Sequence, residues 1–262
     1  MSRYPKKTLY YESRSQDFFK KAQKEKGAQK PFDYANNRLG FRLLSFILHR
    51  IVAPPFAHFY AKVFLREKII GRAILKAAKR EGRGFILVGN HTQPIGDAFG
   101  SNLVAFPTRA HVVVHPDNLS LPVIGRLTPY LGAIPTPGTL REARQFSEAV
   151  AEKLSRGRAV VIFPEAHVWP FYTGLRPFKS GALDPAVRAG VPAFCFSRVY
   201  KKSRLFGFKC CVFIDGPFYP CKSLSRRDAE AKLSRELFAA MEARVRESDV
   251  QVYDYKERTC EL

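Results

Sequence analysis

Six short apolar runs recur from residue 84 onward, at 84–89, 110–115, 131–135, 159–163, 192–200 and 209–215, and stretches with helical signals separate them. Runs of this length suit buried strands better than buried helices. The helical signals are specific. Thr139-x-x-Glu142 is a capping box ahead of Ala143, Phe146, Val150 and Leu154, and Gly157 ends that pattern. Ser225-x-x-Asp228 opens a second pattern through Leu233, Leu237 and Met241. Alternation of this kind predicts an α/β fold, a mostly parallel or mixed sheet flanked by helices on both faces. A chain of 262 residues, 46% of them hydrophobic, supplies ample core for one such domain. No internal repeat or low-complexity linker interrupts it.

Two of the runs end in ionisable residues. Phe85-Ile86-Leu87-Val88 leads into Asn90-His91-Thr92-Gln93-Pro94-Ile95-Gly96-Asp97. Ala159-Val160-Val161-Ile162 leads into Phe163-Pro164-Glu165-Ala166, with Arg176-Pro177-Phe178-Lys179-Ser180-Gly181 following. Open α/β sheets place their chemistry at such strand ends. A His with an Asp within reach is the minimum equipment for general-base catalysis, because a carboxylate on one ring nitrogen leaves the other to take a proton. With a base of that kind a hydroxyl is activated for direct attack, and no enzyme nucleophile is required. An acidic group and cations at the second strand end suit an anionic substrate. The purely structural alternatives are a helix N-terminal charge for Asp97 and an ion pair of Glu165 with Arg176 or Lys179.

These blocks resemble the glycerolipid acyltransferases, the family of lysophosphatidic-acid acyltransferases. Its first motif is Asn-His-x-x-x-x-Asp; its third is Phe-Pro-Glu-Gly-(Thr/Ser)-Arg followed by Pro-Phe-Lys-x-Gly. The resemblance covers roughly residues 80 to 220. It implies that His91 and Asp97 are catalytic and that Glu165, Arg176, Lys179 and Gly181 shape the acceptor site. The chain departs from the pattern in three places. Five residues, not four, separate His91 from Asp97. A regular helix would turn the carboxylate by about 100° for one extra residue, and Pro94 offers a way to absorb it by keeping Thr92-Gln93 extended. Ala166, His167 and Val168 replace Gly, Thr/Ser and Arg, so the family's phosphate-binding Arg is missing and Arg176 or Lys179 is the expected substitute. The second motif survives only as Gly132–Pro137 without its Arg, with Arg141 or Arg144 as replacements. Val191-Pro192-Ala193-Phe194 fits the fourth motif. The implied reaction moves a fatty acyl group from acyl-CoA or acyl-carrier protein, as co-substrate, to the hydroxyl of a 1-acyl-glycerol-3-phosphate-like lysophospholipid, in phospholipid biosynthesis or remodelling. No further cofactor is expected. The acyltransferase-like domain is assigned to residues 71–262.

Residues 1–70 read as a basic tail and an amphipathic helical hairpin. Residues 1–30 carry Arg3, Lys6, Lys7, Arg14, Lys20, Lys21, Lys24, Lys26 and Lys30, contribute to a net charge of +21, and predict partial helix or disorder. Residues 38–64 are apolar, and Pro54-Pro55 splits them into halves of about 15 residues, each roughly 22 Å as helix and short of a ~30 Å hydrocarbon core. The expectation is a hairpin on an anionic membrane surface or against the catalytic sheet, with peripheral or monotopic placement on the cytoplasmic face. The N-terminus has no early apolar segment of the signal-peptide kind. Cys195, Cys210, Cys211, Cys221 and Cys260 show no C-x-x-C spacing and read as reduced. No metal is expected: His111 and His115 stand about 13 Å apart on a strand, and His91, Asp97, Glu165 and His167 form no compact ligand motif. Two other readings stay open. One is a basic nucleic-acid-binding protein, which lacks any recognition motif, so no nucleic-acid partner is expected. The other is a lipid-binding homologue without catalysis.

Overall fold

The computed structural model describes residues 7–18, 32–35, 38–94, 96–120, 124–205 and 207–258. In chain order the elements are β1 (Thr8–Tyr11), α1 (Leu39–Leu65), β2 (Lys68–Ile70), α2 (Arg72–Arg80), β3 (Phe85–Gly89), α3 (Gly96–Ala105), β4 (Ala110–Val114), α4 (Ile124–Leu127), β5 (Ala133–Pro135), α5 (Leu140–Ser155), β6 (Ala159–Ile162), α6 (Asp184–Ala189), β7 (Ala193–Ser203), β8 (Gly207–Phe218), α7 (Arg226–Val245) and β9 (Asp254–Glu257). Seven strands form one sheet in the order β2-β8-β7-β3-β6-β4-β5. All neighbours are parallel except β7 and β8, a long antiparallel hairpin. This is the mixed sheet the apolar runs predict.

The central strands are buried on both faces, so their side chains alternate between two cores. Phe85, Leu87, Val161, Phe194 and Phe196 face α2 and α3, through Leu75, Val104 and Ala105. Ile86, Val88, Val160, Ile162 and Cys195 face α5 and α7, through Val150, Leu154, Leu233, Leu237 and Met241. Both sequence-predicted caps form. The Thr139 hydroxyl accepts from the Glu142 N–H at 3.2 Å, and the Ser225 hydroxyl accepts from the Asp228 N–H at 3.2 Å. Gly157 takes the left-handed conformation that closes α5 (φ +66°). Cys195, Cys210 and Cys211 are buried free thiols. Cys260 lies outside the described residues.

The hairpin expected for residues 38–64 is instead one helix, α1, of 27 residues. Pro54 and Pro55 do not break it because a wide π turn, Leu48–Val52, sits just before them, where a proline ring would otherwise strike the carbonyl one turn back. A second π turn spans Tyr60–Leu65. Together they set the helix's buried face. Ser45, His49, Ala57, Ala61 and Leu65 are buried and Ala53 is half-buried, all on a four-residue repeat. In a regular helix that stripe would drift about 40° per step. Each π turn takes in about one extra residue per turn, so the 20 residues from Ser45 to Leu65 make about five whole turns and the stripe stays straight. It packs along α3 and the start of β4. The His49 imidazole meets the Ala110 carbonyl at 3.2 Å, and the Ser45 hydroxyl donates to the Tyr130 carbonyl at 2.6 Å. The opposite face is apolar and open: Leu39, Leu43, Phe46, Ile51, Phe59 and Phe64 are each more than half exposed. The segment is therefore not two short halves but one continuous helix. At roughly 40 Å, α1 is long and apolar enough to cross a membrane.

Of the tail expected to be partly helical or disordered, residues 7–18 form β1 and the turns after it, and the remaining positions lie outside the described residues. β1 pairs in parallel with β9, so the two ends of the chain meet. β2, also within residues 1–70, is the edge strand of the main sheet. Residue 70 therefore marks no gap in the packing.

Candidate active site

β3 and β6 are neighbours, and the loops after them meet at the C-terminal edge of the sheet. Asn90 anchors the first loop. Its side-chain amide donates to the Arg198 carbonyl at 3.1 Å and accepts from the Arg198 N–H at 2.8 Å, an amide pairing with both sides of one residue on β7. The next residue, His91, is thereby held to the sheet. The second loop is zipped to the first by backbone bonds: Trp169 N–H donates to the His91 carbonyl at 3.0 Å, and Phe171 N–H to the Thr92 carbonyl at 2.8 Å.

His91 Nδ1 lies 2.7 Å from Asp97 Oδ2. The five-residue gap does not separate the pair, because residues 91–93 are not helical and the helix begins only at Gly96. Asp97 then sits in its first turn, where a carboxylate is favoured. Oδ2 also accepts from the Gln93 N–H at 2.9 Å. The other oxygen, Oδ1, accepts from Arg198 Nη1. The His91 ring stacks on Phe163 at 4.5 Å and 22°. Its side chain is 18% exposed while Asp97 is buried. Nε2 is thus the ring nitrogen left open. A buried carboxylate receiving Nδ1–H fixes the tautomer in which Nε2 is the base.

Glu165 also touches His91, but through the backbone. Its Oε1 accepts from the His91 N–H at 3.0 Å, and its Oε2 accepts from Arg176 Nε at 2.8 Å and Arg176 N–H at 3.3 Å. Burial pushes the Glu165 carboxyl up, and Arg176 then the His91 N–H pull against it. Burial lowers Arg176 in turn, opposed by Glu165. With donors on both oxygens, the geometry is that of an ionised pair. Arg176 is itself buried, donates to the His167 carbonyl and lies 4.9 Å over Trp169. Above it, Tyr11, Tyr172 and Tyr255 pack on Trp169, whose indole N–H donates to the Gln16 carbonyl at 2.8 Å. The paired chain ends therefore cover this loop. Arg176, expected to stand in for a phosphate-binding Arg, is instead occupied by Glu165 and closed off from solvent.

Lys179 is exposed, with its backbone N–H donating to the Pro164 carbonyl at 2.8 Å, beside Glu165. Gly181 is exposed and left-handed (φ +81°), with nothing near an added Cβ, so the position needs the conformation and not the space. Arg141 and Arg144 are not brought to this site. They open α5 after β5, the edge strand three places from β3, and Arg144 pairs with Glu148. Among the described residues, no three His, Cys, Asp or Glu side chains are placed to hold a metal ion.

Sequence reasoning missed Arg198 and Glu67. Arg198 is fully buried between Asp97 and Glu67, whose Oε2 lies 3.6 Å from Arg198 Nε. The available signal was an arginine inside the run Phe194-Cys195-Phe196-Ser197-Arg198-Val199-Tyr200. A charge there demands a buried partner.

Residues 72–197, which hold both loops, match the family model described as Acyltransferase. This stretch is the one in which the motifs resemble the glycerolipid acyltransferases. Among solved structures it is similar to PlsC, a 1-acyl-sn-glycerophosphate (LPA) acyltransferase from Thermotoga maritima, at 18% identity and a TM-score of 0.44, over 78% of this chain and 95% of that one. No curated protein matches the chain.

Proposed function

We propose that this acyltransferase moves a fatty acyl group from an acyl thioester, acyl-CoA or acyl-carrier protein, to the free hydroxyl of a 1-acyl-glycerol-3-phosphate-like lysophospholipid. The observation that carries the reading is the 2.7 Å contact of His91 Nδ1 with Asp97, with Nε2 facing out. His91 Nε2 takes the proton of the acceptor hydroxyl as its oxygen attacks the thioester carbonyl. The tetrahedral adduct collapses, the C–S bond breaks, and the imidazolium returns the proton to the departing thiolate. Asp97 stabilises the imidazolium between the two steps. Lys179 is the exposed cation for the acceptor phosphate. Glu165 and Arg176 act indirectly, by holding the loop that carries it, and Gly181 sets the turn beyond. The reaction needs no cofactor beyond the thioester co-substrate. The spacing change that favoured a non-catalytic lipid binder is absorbed in the loop, so that reading loses its motive.

The site of action in this reading is an anionic membrane surface on its cytoplasmic side, with α1 lying in the interface. Its buried stripe rests on the domain, which suits a helix that lies along the protein better than one that leaves it to cross a bilayer. Its outer face is apolar, and residues 38–66 hold Arg38, Arg42, Arg50, Lys62 and Arg66 but no carboxylate. Two assays test the proposal. Labelled acyl-CoA and acyl-carrier protein are offered with a lysophospholipid panel, and acylated product is expected with a lysophosphatidic acid. Vesicle flotation is expected to show binding to anionic vesicles that weakens at all salt concentrations when Phe46 and Phe59 are made polar. No product from any pair overturns the reaction, and indifference to vesicles overturns the location.

A further inference from the structure

We propose that Arg198 is a positioning residue for the His91–Asp97 pair: it holds the Asp97 carboxylate turned so that Oδ2 receives His91 Nδ1–H and Nε2 is presented unprotonated. The inference rests on the reading of His91 as general base.

Arg198 is fixed at both ends. Asn90 grips its backbone on both sides, and its guanidinium reaches Asp97 Oδ1 while stacking 5.1 Å over Phe196. Asp97 in consequence divides its oxygens. Oδ1 takes the guanidinium, and Oδ2 takes His91 Nδ1 and the Gln93 N–H. Without the guanidinium on Oδ1, the carboxylate is free to turn about its last bond. Once the carboxylate turns away, nothing holds the proton on His91 Nδ1, and the Nε2–H tautomer, which offers no base at Nε2, becomes accessible. With Arg198 on Oδ1, Oδ2 stays turned towards His91 Nδ1. Burial opposes the charge on Arg198, but Asp97 and then Glu67 outweigh it and hold the guanidinium protonated.

Glu67, buried just after α1, has no hydrogen-bond partner on either carboxylate oxygen, and Arg198 Nε has none either. Two carboxylates therefore share one guanidinium, and only the Asp97 contact is a close hydrogen bond.

The test uses the full chain with Arg198→Met, Arg198→Lys, and the double variant Arg198→Met with Glu67→Gln, which removes the acid that the first change strands. Folding is checked by circular dichroism and melting. The first readout is the His91 tautomer from two-bond 15N–1H NMR correlations, with the signal assigned by its loss in His91→Ala. Wild type is expected as the Nδ1–H tautomer. The folded Met variant, single or double, is expected to gain the Nε2–H form. The second readout is acyl transfer. The kcat is expected to fall roughly 10–100-fold, by analogy with groups that orient metal-bound imidazoles, with both KM values within about threefold, and the Lys variant is expected to fall in between. A folded Met variant with the wild-type tautomer and kcat overturns the inference. If wild type transfers no acyl group, the reading of function fails, while the tautomer still decides the role of Arg198.

Discussion

Two buried carboxylate–arginine pairs flank His91, and they do opposite things. Asp97 with Arg198 engages the imidazole itself and leaves Nε2 open. Glu165 with Arg176 engages only the His91 backbone and is sealed under Trp169 and the paired chain ends. The chemistry of the pairs is alike, and the difference lies in what each carboxylate does with its second oxygen. One oxygen on a ring nitrogen orients the imidazole; one oxygen on a backbone amide staples the loop. A carboxylate at a strand end is therefore assigned by the atom it contacts and not by its motif.

The largest effect that sharpens this contrast is expected from Asp97→Asn. The rate should fall about 10²–10⁴-fold while apparent substrate affinity holds, because tautomer control is lost. Glu165→Ala should act first on stability. It leaves Arg176 buried without its partner, at a cost of about 3–5 kcal/mol, read as a lower melting temperature. If Glu165→Ala melts like wild type, the staple is not structural and the two pairs are not the opposites described.

Acid should separate the two regions further. His49, under α1, is held neutral at about 4 by burial and then by Arg109, and burial keeps His111 well below its ordinary value. Both bind protons more readily when unfolded. Their stabilising effect is complete above about pH 6.5 and, for His49, is lost as pH falls towards about 4, on the order of 3 kcal/mol in total. Urea unfolding from pH 7 to pH 4 reads this, and His49→Gln should flatten the curve. Smaller still, Tyr255→Phe removes the bond from its hydroxyl to the Pro170 carbonyl, 2.7 Å long, and should lower stability by about 1 kcal/mol. Lys179→Ala should raise KM for the lysophospholipid a few-fold with kcat kept, the signature of an exposed binding cation.

Much of this was legible in the sequence. The apolar runs located six of the seven strands of the sheet, and both capping boxes began helices where expected, because those signals are local. The motif residues at the ends of β3 and β6 converged as their order implies. What escaped was set by distance or by unusual helical pitch. Arg198 finds Asp97 across 101 residues, and nothing in the local pattern names the partner. β1 and β9 are short strands from opposite ends of the chain, and neither reads as a strand alone. The four-residue stripe of α1 matches no 3.6-residue template, and Pro54-Pro55 signals a break that the preceding π turn removes.

The most direct test of the central claim is acyl transfer by full-length wild type and His91→Ala, side by side, from a labelled acyl thioester to 1-acyl-glycerol-3-phosphate in anionic vesicles. His91 is partly exposed and its backbone contacts do not need the ring, so the variant should fold and melt as wild type does. The expected result is product from wild type and a loss of about 10²–10⁴-fold in the variant. Equal turnover by a folded His91→Ala protein would contradict the account.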